Sequence, residues 1–126
     1  MTGLPWWGDV LTIYHRTEAA GRITWSRRTV MGCYFRANCS TAHGPEYARA
    51  GWPCISRIPS RVGCLSISPG DIIVLGLSTA QIDEYKAGKR STDLLAATAG
   101  RSYTVREVHD NAHSGVGVPH IYCGGD

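Results

Sequence analysis

The feature that most limits how this chain can fold is the stretch Pro69-Gly70-Asp71-Ile72-Ile73-Val74-Leu75-Gly76. Pro69 presets φ for a turn, Gly70 takes a conformation other residues resist, and Asp71 can bond the local backbone. The four residues Ile72, Ile73, Val74 and Leu75 follow without a polar break, and the first three are β-branched. A short apolar run bounded by turn signals reads as a strand buried on both faces. It is expected to be a core strand with the other strands packed around it.

The rest of the chain supplies those strands. Residues 9–16 alternate, with Val10, Thr12 and Tyr14 on one side and Leu11, Ile13 and His15 on the other. After a turn at 17–21, residues 22–27 alternate again with Ile23 and Trp25 on one face, so the two runs read as a hairpin. A third strand is expected over 29–35, with Gly32 marking a bulge or a close approach. Further strands are expected at 54–58, 103–109 and 119–123. Between 78 and 99 the pattern turns helical. Ser78 and Gln81 have capping-box spacing with Gly88 as a stop, and a second short helix is expected over 92–97. The frequent turns implied by 15 Gly and six Pro fit this pattern. The expected fold is mainly β, a small antiparallel β-barrel of about six or seven strands with one or two short helices and a long inter-strand loop.

The 126 residues make one domain, read as an arm over 1–8 and a barrel over 9–126. Trp6 and Trp7 in the arm are too apolar for water and should dock on the chain's own surface or on a neighbouring subunit. The loop over 36–53 is small, polar and broken by Gly44, Pro45, Gly51 and Pro53. Tyr47, Arg49 and Trp52 make it the second candidate interface, because a long loop in a compact domain usually has a function. No basic n-region, apolar h-region or membrane-length run is visible, so a cytosolic protein is the natural reading.

Chemistry is sparse. Five cysteines, Cys33, Cys39, Cys54, Cys64 and Cys123, have no C-x-x-C pair, so reduced structural thiols are expected. His109, His113, His120 and Cys123 have metal-ligand chemistry, but a loop carrying Asp110 and Asn111 separates the first two. Turn and surface histidines are the expected reading, with no metal and no cofactor. No strand-turn-helix elbow positions a thiol for catalysis, and no glycine-rich phosphate loop is present. No enzyme is expected. A net charge of +3, from 13 basic and 10 acidic residues, is too weak to argue nucleic-acid binding. Trp25 with Arg27, and Arg57 with Arg61, are read as solvated barrel surface.

Several segments, taken in order, carry a resemblance: Leu11-Thr12-Ile13-Tyr14-His15-Arg16, Ile23-Thr24-Trp25-Ser26-Arg27, Ser56-Arg57-Ile58-Pro59, the stretch from Pro69 to Gly76, Tyr103-Thr104-Val105 and Pro119-His120-Ile121. Together they resemble the head-closure (stopper) proteins of the necks of tailed bacteriophages and prophages. Those have a T-(I/L)-Y-x-R strand, a central P-G-D-x-(I/V)-V turn and strand, and a late (F/Y)-x-V-x-x-V strand. The similarity spans most of the chain, and the loop over 36–53 is longer than in the shortest members. It implies a stopper-like barrel assembled as a homo-oligomeric ring between the portal-bound adaptor and the tail. Such a ring would sit in the virion neck, help retain packaged DNA and dock the tail. The partners implied are other copies of the chain, portal or adaptor and tail proteins, and packaged DNA contacted non-specifically, with no membrane. A tail terminator or minor capsid protein would have a similar size and sheet content, and a small nucleic-acid-binding barrel is the remaining alternative.

Overall fold

A computed structural model describes residues 8–37, 52–59, 67–110 and 120–126. Six antiparallel strands close into a barrel in the order β1-β2-β3-β6-β5-β4. They are β1 (Asp9–Ala19), β2 (Arg22–Ala37), β3 (Cys54–Pro59), β4 (Ile72–Leu75), β5 (Ser102–Asp110) and β6 (His120–Gly125), with one helix, α1 (Ser91–Ala97), between β4 and β5. The mainly β barrel expected from the alternating runs is therefore the fold.

The hairpin of β1 and β2 is longer than expected. Pairing runs to Ala19 opposite Arg22, leaving a two-residue turn. Both turn residues, Ala20 and Gly21, have positive φ (53° and 75°), as a tight hairpin turn matched to strand twist requires. The strand expected over 29–35 is not separate, because β2 continues through it. Gly32 has φ of 74°, and the register slips there, from Leu11 opposite Val30 to Asp9 opposite Cys33. This one-residue bulge bends β2, so that its first part pairs with β1 and its last part, from Tyr34, pairs with β3. The bend is the corner that closes the barrel.

The interior is filled by Leu11, Ile13, Val30, Cys33, Ile58, Ile73, Tyr103, Val105 and Cys123, among others. A second apolar layer lies outside the barrel, where Tyr14, Ile72, Val74 and Leu94 pack with Trp25, Ile82 and Leu95. β4 thus has Ile73 in the inner cluster and Ile72 and Val74 in the outer one, so it is buried on both faces, as its uninterrupted apolar run implied.

The outer layer is made by a strap, residues 77–90, and α1. The expected helix from Ser78 to Gly88 does not form; the segment is extended and then turns. Its backbone is committed to the barrel. Thr12 Oγ1 accepts from the Ser78 N–H (2.9 Å) and donates to the Gly76 carbonyl (2.8 Å). Tyr14 donates its hydroxyl to the Ala80 carbonyl at 2.7 Å, and Arg27 donates to the carbonyls of Thr79 and Ala80. A helix this short is marginal in isolation, so these tertiary bonds decide the outcome. The second expected helix does form, one residue earlier than Thr92, with Asp93 accepting from the Arg90 N–H at its start.

Candidate functional site

Asp71 ties the central turn to the barrel. Its carboxylate is fully buried. Oδ1 accepts from the Arg16 N–H and Oδ2 from the Ser68 N–H, both at 2.9 Å, and His15 Nδ1 lies 2.8 Å from Oδ2. The local backbone bond expected of Asp71 is the one to Ser68. The bonds to β1 are tertiary and fix the turn against a strand more than fifty residues away. The same turn reaches β5, since Gly70 N–H donates to the Val105 carbonyl and Val105 N–H to the Asp71 carbonyl.

The strap is fastened by Glu84. Its carboxylate accepts from Trp25 Nε1 (3.2 Å), the Ser91 N–H (3.1 Å) and the Ser91 hydroxyl (2.7 Å). Burial works to raise its pKa, but the Ser91 and Trp25 bonds and the charge of Arg16 together hold it below the ordinary value. Tyr85 caps the strap against β2, accepting from the Ile23 N–H at 2.9 Å beneath the Arg22 guanidinium, 4.3 Å from the ring centre.

The opposite wall, formed by β2, β3, β6 and β5, carries a different surface. Cys33, Cys54, Ile58 and Cys123 point inward, so alternation sends Tyr34, Arg57 and Tyr122 outward. The register places Tyr34 opposite Arg57, Arg57 opposite Tyr122, and Tyr122 opposite His109. These four side chains form one transverse row across four strands. The Arg57 guanidinium lies 5.3 Å from the Tyr34 ring centre and 5.9 Å from that of Tyr122, and the Tyr122 and His109 rings are 6.0 Å apart. Burial and then the charge of Glu107 raise the Tyr122 phenol above its ordinary pKa, with Arg57 opposing.

The next outward row is Arg36, Ile55, Gly124 and Glu107. Trp52 lies across it. A methyl group at Gly124 would come within 2.5 Å of Trp52 Cδ1, so the glycine makes the seat for the indole. Trp52 Nε1 donates to Glu107 Oε1 at 2.7 Å, and His109 bonds the other carboxylate oxygen. These two bonds, the Trp52 bond first, hold the Glu107 carboxyl below its usual pKa. Glu107 reaches this row because Arg106 is an extra residue in β5. The register slips between Val105 and Glu107, and Val108 packs toward the core in place of Glu107.

Of the residues expected at interfaces, Trp52 lies on this wall, seated on the chain's own β6. Trp6, Trp7, Tyr47 and Arg49 lie outside the described residues, as do His113, Cys39 and Cys64. The other basic–aromatic pairing noted in the sequence, Trp25 with Arg27, is engaged with the strap. Among the described residues, no group of three or more His, Cys, Asp or Glu is placed to hold a metal ion. Cys33, Cys54 and Cys123 are buried thiols with no disulfide, and burial pushes the Cys123 thiol up to about 12. The sequence reading missed Tyr34, Tyr122 and Glu107, whose grouping depends on the β3–β6 and β5–β6 pairings. No known protein family, curated protein or solved structure matches this chain.

Proposed function

We propose that the protein is a structural subunit of a tailed-bacteriophage or prophage neck. Copies form a ring between the portal-bound adaptor and the tail, close the head, retain packaged DNA and dock the tail. The observation that carries this reading is where the resembling segments lie. Residues 11–16, 69–76 and 103–105 are far apart in the chain, yet they stand side by side as β1, β4 and β5. Ile13, Ile73 and Tyr103, one from each segment, share a single rung and are all buried inside. Three of the six resembling segments, those with the T-(I/L)-Y-x-R, P-G-D-x-(I/V)-V and (F/Y)-x-V-x-x-V patterns, thus stand side by side on one wall, with Asp71 tying the central turn to β1 and β5. A rigid wall of this kind suits a ring subunit, and its contacts are assigned to the arm of Trp6 and Trp7 and the loop of Tyr47 and Arg49.

The test is assembly. Purified protein should form a ring-sized oligomer by native mass spectrometry, and Trp6→Ala with Trp7→Ala, or deletion of 38–50, should reduce that mass and block tail joining. A protein that stays monomeric at high concentration, and whose variants join tails normally, would remove the reading.

A further inference from the structure

The two outer walls of the barrel are treated differently. The one over β1 and β4 is covered by the strap and α1 through an apolar cluster. The row of Tyr34, Arg57, Tyr122 and His109 on the other wall is half-buried at its first three members and exposed at His109, and it is not the Lys, Glu and Thr surface of a solvated sheet. From its chemistry we propose that this wall binds single-stranded nucleic acid, with Tyr34 and Tyr122 stacking bases and Arg57 set between them to meet the phosphate backbone or a base plane.

Three observations carry it. First, register alone aligns the row across four neighbouring strands of the barrel wall. The two tyrosine-bearing strands flank β3, so with strands about 4.8 Å apart they are separated by about 10 Å. That is the arrangement of sheet-based readers, in which aromatic side chains and guanidinium planes on neighbouring strands stack successive unpaired bases. Second, the charge fits a polyanion. Arg57 projects outward between the two rings with His109 beyond them, and Glu107, the acid in the next row, is occupied by Trp52 and His109. Third, the same charge disfavours a second copy docking face to face, since Arg57 would then meet its own like charge.

The experiment measures fluorescence anisotropy of labelled thymidine and uridine oligomers, with a duplex of the same length as comparison. Binding of a single strand is expected to weaken about two- to threefold between about 50 and 200 mM salt if Arg57 meets one phosphate. Tyr34→Ala and Tyr122→Ala should each weaken it by about fivefold or more, while Tyr122→Phe, which keeps the ring, should retain it. Arg22→Ala and Tyr85→Ala, the arginine–tyrosine pair on the strap, should leave it unchanged. Circular dichroism and thermal midpoints establish that each variant is folded. Whether the deoxy or the ribo oligomer binds better identifies the natural strand.

Four results would overturn the proposal. They are absence of single-strand binding at low salt, binding of the duplex alone, equal losses in the strap variants, and loss of self-association or tail joining in the Tyr34 and Tyr122 variants with oligomer binding intact. The last would make the wall a protein interface. Oligomer mass measured on the same samples reports on the ring separately, so the two readings can fail independently.

Discussion

Replacing Asp71 by alanine tests how the central turn is held. The buried carboxylate accepts two backbone N–H groups, from Arg16 and Ser68, besides its contact with His15. Hydrogen bonds to a charged acceptor are worth about 1.5–3 kcal/mol each, which puts the two backbone bonds at about 3–6 kcal/mol. Both donors belong to exposed residues, so water can replace part of what is lost and the lower end, about 3 kcal/mol, is expected. Against a whole-domain stability of about 5–15 kcal/mol this is a large fraction. With a urea slope of about 2 kcal/mol/M, the unfolding midpoint followed by tryptophan fluorescence should fall by about 1.5 M. Asp71→Asn keeps one carbonyl oxygen and should cost about half as much, and His15→Ala, which leaves both backbone bonds, should cost less than Asp71→Ala. A cost below about 1 kcal/mol for Asp71→Ala, or equal costs for alanine and asparagine, would refute the assignment of the turn's stability to these bonds.

Other consequences concern the strap, the core and the hairpin. Because the folded-state pKa of Glu84 lies below its ordinary value of 4.5, its stabilising effect is complete above that value and is lost as pH falls through the lower, folded-state pKa. Acid titration below pH 4.5 should therefore release the strap, seen as a change in Trp25 emission, and Glu84→Gln should flatten that response. The buried thiols of Cys33, Cys54 and Cys123, with Cys123 pushed up to about 12, should resist a thiol-specific reagent at pH about 8 in the native protein and react only on unfolding. Thiols counted with and without denaturant would differ by fewer than these three if the core packing were wrong. Ala20 is the one described non-glycine residue with positive φ, in a turn that favours Asn-Gly. Ala20→Asn should raise stability by about 0.5–1 kcal/mol in chemical denaturation.

What could be read in the sequence divides along physical lines. The apolar run of β4, the alternation of β1 and the bulge at Gly32 all show locally, because burial on two faces, burial on one face and positive φ each leave a residue-level mark. The continuity of β2 does not show, since a bent strand and two strands have the same alternation. Residues 78–88 carry a good helical signature, yet the hydroxyls of Thr12 and Tyr14 and the Arg27 guanidinium take up Ser78, Thr79 and Ala80. No local pattern reveals those partners. The extra residue at Arg106 is also silent, lacking the glycine that marked the first bulge, and it reverses which of Glu107 and Val108 faces the core. The aromatic–arginine row is the least legible feature. Tyr34, Arg57, Tyr122 and His109 come together only when β3 pairs with β6 and β6 with β5, the step that closes the barrel.

The ring reading rests on neighbouring strands of a single wall, so the most direct measurement is the position of this chain in an assembled particle. A reconstruction of the virion should show copies of the six-stranded barrel as one ring at the head–tail joint, with β1, β4 and β5 forming a rigid wall in each copy. Particles that lack the chain, or that carry it in the tail shaft or on the capsid surface, would contradict the account.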